Sequence, residues 1–185
     1  MPDPALRANA RRNRERLLAA AEEVVTERGT SASLRDIARR AEVGIGTLYR
    51  HFPTREALLE ALMQERFERL QARADELLGE PPYRAVVTWL RDLAAASATV
   101  HGLPDAVLSA LRDRDSALHA ACDGMRTAGA RLLERAQSAG AIRADLTPSD
   151  LLALTAGLAW ASDYAEDKEA RLERLFAVME TGLAS

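Results

Sequence analysis

The chain has 185 residues, 48% hydrophobic and 29% charged, enough for one domain or for a small and a medium one without stapling. A single cysteine, Cys122, excludes an intramolecular disulfide. The longest apolar stretch, Leu151 to Ala161, is too short to cross a membrane and is broken by Thr155 and Gly157, so a soluble cytoplasmic protein is expected.

Ala, Leu, Arg and Glu dominate and β-branched runs are few, which predicts helices throughout. At the N-terminus Arg7, Arg11, Arg12, Arg14 and Arg16 crowd together, with Asp3 and Glu15 as the nearby acids. Residues 1–60 hold eleven Arg against nine Asp and Glu, although the whole chain has a net charge of −3. Because distant charges are screened, a locally basic arm on an acidic body suits a phosphate-binding segment. It is also what a solvated tail looks like.

The first helix is expected to begin near Asn13 and to bury Leu17, Leu18, Ala21, Val24 and Val25, one face of a 3.6-residue period. Gly29 supplies the stop. Ser33 and Asp36 form a capping-box pattern that opens a helix over about Leu34 to Ala41. A second short helix runs from Ile45 to Phe52, where Pro53 forbids continuation. Thr54 then caps a long helix carrying Leu58, Leu59, Leu62, Met63 and Leu70, which stops before Gly79-Glu80-Pro81-Pro82.

Further helices follow over Tyr83 to about Val100, after Pro104, and from Leu118 to Gln137. Thr147-Pro148-Ser149-Asp150 is a capping box with proline at the first helical position, opening an apolar helix to about Tyr164. A last helix spans about Lys168 to Leu183. The fold class is therefore all-α, about nine helices, with a three-helix N-terminal domain over 1–60 and a helical body over 61–185.

Residues 33–52 carry the functional signal. Two short helices joined by Glu42-Val43-Gly44 have helix-turn-helix spacing, in which the second helix enters a major groove. On a helical wheel Ile45, Leu48 and Phe52 cluster on one side and must pack on the preceding helices. Gly46, Thr47, Arg50 and His51 take the opposite arc, with Tyr49 on its shoulder. Arg50 can donate to guanine edges or phosphate, Thr47 can meet a thymine methyl, and Gly46 permits close approach. Tyr49 and His51 suit register-fixing phosphate contacts. Thr54 and Arg55 open the next helix, where free amides favour an anion. A purely solvated face is the bland alternative.

The run from Leu34 to Phe52, followed by Pro53-Thr54-Arg55-Glu56-Ala57-Leu58, resembles the signature of the tetracycline-repressor (TetR) family across the first third of the chain. By that resemblance Arg35, Thr47, Tyr49, Arg50 and His51 fall where family members touch DNA, and Arg55 where a phosphate-binding Lys is usual. Two departures stand out. Glu42 replaces a frequent glycine, at a cost of about 1 kcal/mol if the position needs positive φ, and Gly44 replaces the usual Ser cap.

The resemblance further implies a homodimer on a palindromic operator and a body that encloses a small-molecule effector. The last two helices carry wide apolar faces (Leu151, Leu152, Leu154, Leu158 and Trp160, then Leu172, Leu175, Phe176 and Met179) suited to a four-helix interface or to the chain's own core. Candidate ligand-wall residues are Phe67, Trp89, His101, Leu108, Met125, Trp160 and Tyr164, each as readily plain core, and an apolar or mixed small molecule fits them best.

No hydrolase elbow, P-loop or dinucleotide turn is present, and His119 with Cys122 lacks a third metal ligand. No enzyme activity, cofactor or metal is expected. Asp163, Glu166 and Asp167 read as a solvated linker. A nonspecific DNA binder and a helical interaction protein without DNA binding remain as rivals to a sequence-specific transcriptional repressor.

Overall fold

The computed structural model describes residues 4–97 and 103–183. Among them nine helices are present and no strand: α1 (Pro4–Arg28), α2 (Leu34–Arg40), α3 (Ile45–His51), α4 (Arg55–Leu77), α5 (Pro82–Ser97), α6 (Asp105–Arg112), α7 (Ala117–Ser138), α8 (Pro148–Asp163) and α9 (Lys168–Leu183). None is long and apolar enough to cross a membrane. One boundary is corrected. Helix α1 starts at Pro4 and not near Asn13, because the segment upstream of the first apolar residues is built of Ala and Arg, strong helix formers that need no buried face.

The described residues fall into two compact units, one drawn from Met1–Glu65 and His101–His119, the other from Arg66–Val100 and Ala120–Ser185. The units divide at Glu65, inside α4, and the segment bearing α6 groups with the first unit.

In the first unit α1 packs on α2 and α2 on α3. Leu17, Leu18, Ala21, Val24 and Val25 of α1 are buried, and Gly29 at φ +76° ends the helix. The start of α2 departs from expectation. Ser33 Oγ accepts from the Arg35 amide at 3.2 Å, but Asp36 does not reach back to the cap. Its carboxylate is taken by Arg28 and Arg39, each at 2.8 Å, so only half of the capping box forms. At α4 the Thr54 hydroxyl accepts from the Ala57 amide at 3.1 Å, an N-terminal cap.

In the second unit α5 packs on α8 and α8 on α9. Trp89 anchors it. The indole is 3% exposed, its Nε1–H donates to the Leu70 carbonyl at 2.9 Å, and its six-membered ring fills the notch at Gly129 of α7. Arg91 of α5 ties down α9 through Glu173 and Glu180 and lies 4.9 Å over the Phe176 ring. Both halves of the Thr147–Asp150 capping box form at α8, and the Thr147 hydroxyl and amide hold the Asp150 carboxyl below its ordinary value.

A Cβ added at Gly129 would lie 2.3 Å from the Trp89 ring. Gly129→Ala must therefore displace a buried indole, and we expect a loss of about 1–3 kcal/mol. Alanine's better helix propensity returns at most about 1 kcal/mol of that. Urea unfolding should show a lower midpoint at unchanged slope.

Candidate nucleic-acid interface

Backbone geometry between α2 and α3 sets the site. The Glu42 amide donates to the Arg39 carbonyl at 3.1 Å and the Val43 amide to the Ala38 carbonyl at 3.0 Å, the paired bonds of a Schellman turn. That motif demands a left-handed residue, and Glu42 supplies it at φ +53°. The same bond pattern closes α7, where Gly140 takes the position at φ +65°. Glutamate thus stands where glycine is the unstrained choice. Its carboxylate pairs with Arg16 of α1 at 2.7 Å, an exposed ion pair of small worth.

Gly44 then caps α3 through its backbone, accepting from the Thr47 and Leu48 amides at 2.8 and 3.2 Å. It has no side chain to add, so the helix is held chiefly by burial. Leu48 is 0% and Phe52 3% exposed. Ile45 was expected to join them and does not. At the first position of the helix it reaches only the rim of the buried patch and is 38% exposed.

The other side of α3 faces solvent. Gly46, Tyr49 and Arg50 are exposed, and Thr47 and His51 are half-buried. Arg50 Nη2 donates to Thr47 Oγ1 at 3.0 Å, linking the two central polar groups of the arc. A Cβ at Gly46 would touch nothing, so the domain's own packing does not demand glycine there. The His51 and Phe52 rings lie 6.3 Å apart, and the Arg14 guanidinium sits 5.8 Å over Phe52. Arg35 is exposed at the start of α2.

The two remaining DNA-contact candidates are already committed within the unit. The Thr54 hydroxyl caps α4, and Arg55 Nη1 donates to the carbonyls of Thr30 and Ala32. Through Nη1 Arg55 buttresses the α1–α2 loop. Sequence reading also missed the contacts of Arg14 and Arg16 with the turn and with Phe52. Their signal was the density of arginine that the sequence reading assigned to a phosphate-binding arm or a solvated tail.

Of the ligand-wall candidates, Phe67, Trp89 and Met125 share the core of the second unit, and Leu108 belongs to the first unit. Trp160 and Tyr164 are 50% and 75% exposed and meet edge to face at 5.2 Å. They lie off the buried side of α8, which carries Leu151, Thr155 and Ala159. His101 lies outside the described residues. A groove of about 500 Å³ opens elsewhere in the second unit, lined by Ala94, Ala159, Ser162 and Leu172, with Asp163, Glu166 and Asp167 among its walls. Those acids were read as a linker. Cys122 is half-buried, and desolvation pushes its thiol up, away from the reactive thiolate.

Residues 17–62 match the family model of bacterial regulatory proteins, tetR family, and residues 81–185 match that of the C-terminal domain of SbtR-like transcriptional regulators. The HTH-type transcriptional repressor KstR of Mycolicibacterium smegmatis is 39% identical over 77 residues, 40% of this chain and 38% of that repressor. KstR of Rhodococcus jostii is 30% identical over 135 residues, covering 72% of this chain. The chain spans 64% of the length of that second repressor. A crystal structure of a TetR transcriptional regulator from Streptomyces coelicolor, 37% identical, superposes with a TM-score of 0.75 over 92% of this chain and 98% of its own.

The strained turn gives a test of the geometry. Glu42→Gly should stabilise the protein by up to about 1 kcal/mol, raising Tm by about 2–4 °C in a calorimetric scan. No gain would mean that the Arg16 pair is worth more than an exposed pair should be.

Proposed function

The chain belongs to the TetR family of bacterial transcriptional regulators, and we propose that it is a repressor released from a palindromic operator by a small molecule. One observation carries the DNA-reading half of this: Leu48 and Phe52 are buried while Gly46, Tyr49 and Arg50 on the other side of α3 are open. Burial fixes the helix, which leaves its polar side to enter a major groove. Arg50, steered by Thr47, supplies the base-edge donor, and Gly46 lets the DNA backbone come close. Tyr49, His51 and Arg35 hold phosphates, and the free amides at the start of α4 near Thr54 add an anion site. Arg55 acts by fixing the α1–α2 loop.

The reader is a homodimer working in the cytoplasm. Leu151, Phe176 and Met179 of α8 and α9 are absorbed by the chain's own core, but Leu154 and Val178 stand 45% and 72% exposed. With Leu158 and Leu175 they line an apolar groove of about 280 Å³ along these two helices. A second copy of the same face would cover it, giving a self-complementary four-helix contact. The two heads then sit about one DNA turn apart.

The groove of about 500 Å³ is roomy enough for an effector. Release requires a molecule that prefers the non-binding state by a few kcal/mol. Movement of α4 would pass that preference on to the heads.

Selection of duplexes from a random pool should enrich one palindrome. On that duplex Arg50→Ala should cost about 1–3 kcal/mol and relax preference at one base position per half-site, read by fluorescence anisotropy on single-substituted duplexes. A uniform loss across all duplexes would instead mark Arg50 as a phosphate contact. Val178→Glu, at an exposed position, should leave the melting curve in place yet turn the dimer into a monomer in light scattering, with loss of palindrome binding. A dimer that survives it places the interface elsewhere.

A further inference from the structure

The groove of about 500 Å³ in the second unit combines an apolar floor with an acidic rim, and all of its walls come from that unit. Ala94 of α5 and Ala159 of α8 are buried beneath it, and Leu172 of α9 lies half-buried against the same core. A space of this size over such a floor takes a molecule of a few rings, and burial of its hydrocarbon drives binding.

The rim decides the charge of what enters. Asp163, Glu166, Asp167 and Glu169 stand there against one basic wall residue, Lys168. That lysine is answered by Asp163 at 3.2 Å, and Asp167 caps α9 by accepting from the Ala170 amide at 3.0 Å. Glu166 and Glu169 have no basic partner among the described residues.

Two helix ends act in the same direction. Ala94 and Ala95 belong to the last turn of α5, and Ser162 and Asp163 to the last turn of α8, where carbonyls left without helical partners carry partial negative charge. The Ser162 hydroxyl donates to the Leu158 carbonyl at 2.8 Å, so what it has left to offer is lone pairs. Hydrocarbon edged by acceptors and negative charge disfavours an anion and suits a cation.

We propose that this groove binds a hydrophobic organic cation, its hydrocarbon on Ala94, Ala159 and Leu172 and its charge at Glu166 and Glu169. The proposal rests on the reading of the groove as the effector site and gives that effector a chemical class. Water and salt screen the exposed carboxylates, so they choose among molecules of one shape more than they add affinity.

The test uses the full-length protein with tetraphenylphosphonium and tetraphenylborate, ions of nearly equal size and shape and opposite charge, and with neutral triphenylphosphine oxide. Each is titrated by calorimetry and, by fluorescence anisotropy, against the duplex that the protein enriches from a random pool. Tetraphenylphosphonium should bind at least about tenfold more tightly than tetraphenylborate, a preference that shrinks as KCl rises. E166Q/E169Q should erode that preference about tenfold, and E166K/E169K should reverse it. A95F, at an exposed position on the groove wall, should abolish binding while leaving the melting curve in place.

Tetraphenylborate or triphenylphosphine oxide binding as tightly as the cation would overturn the proposal while leaving the groove as an effector site. Cation binding that survives A95F, or no binding by any of the three, would overturn it as well. Cation binding lost in A95F and reversed in E166K/E169K, yet without release from the duplex, would uphold the chemical class and remove the reading of that ligand as the effector.

Discussion

Burial of Leu48 and Phe52 is the constraint on which the DNA-reading end depends. A helix of seven residues has too few internal hydrogen bonds to offset the cost of its own nucleation. Removing two large side chains from water contributes about 1.5–3 kcal/mol each and also selects one orientation about the helix axis. The contacts around it preserve that orientation. The Schellman turn at Glu42 delivers the chain to Gly44 at a fixed angle, and Arg55 ties the loop after α1 to the start of α4. A polar cap would add little here, and Gly44 has none to offer.

The second unit is organised around an indole instead. Trp89 has its one polar atom satisfied by the Leu70 carbonyl, so nothing opposes burying the rest of the side chain. Gly129 provides the space, and the clasp of Arg91 on Glu173, Glu180 and Phe176 fastens α9 over the same region. The hydrophobic residues of α8 and α9 are consequently split between two duties. One set completes this core, and Leu154, Val178, Trp160 and Tyr164 remain at the surface.

Much of this was legible in the sequence, because helical periodicity and caps are local signals. The helix count, the Thr147–Asp150 box and the outward arc of α3 follow from spacing, and the family resemblance marked the turn position that Glu42 fills at positive φ. Features decided by competition between partners did not. Asp36 could cap α2 or pair with Arg28 and Arg39, and pairing won. The bonds of Arg55 Nη1 to the Thr30 and Ala32 carbonyls depend on a loop conformation that no local pattern specifies. The start of α1 was missed because apolar periodicity marks a buried face, and the first turns of that helix have none. The exposure of Trp160 and Tyr164 was not legible, because size and aromaticity say nothing about which side of a helix the core lies on.

The outward residues of α3 have almost no structural duty. A side chain at Gly46 meets nothing, Tyr49 is half in water, and Arg50 leans only on Thr47. Mutation at those positions is therefore nearly free of folding penalty, and under the proposed reading of α3 the target sequence can drift while the scaffold is held constant by two residues underneath. Evolvability of specificity is built into the division of labour on a single short helix.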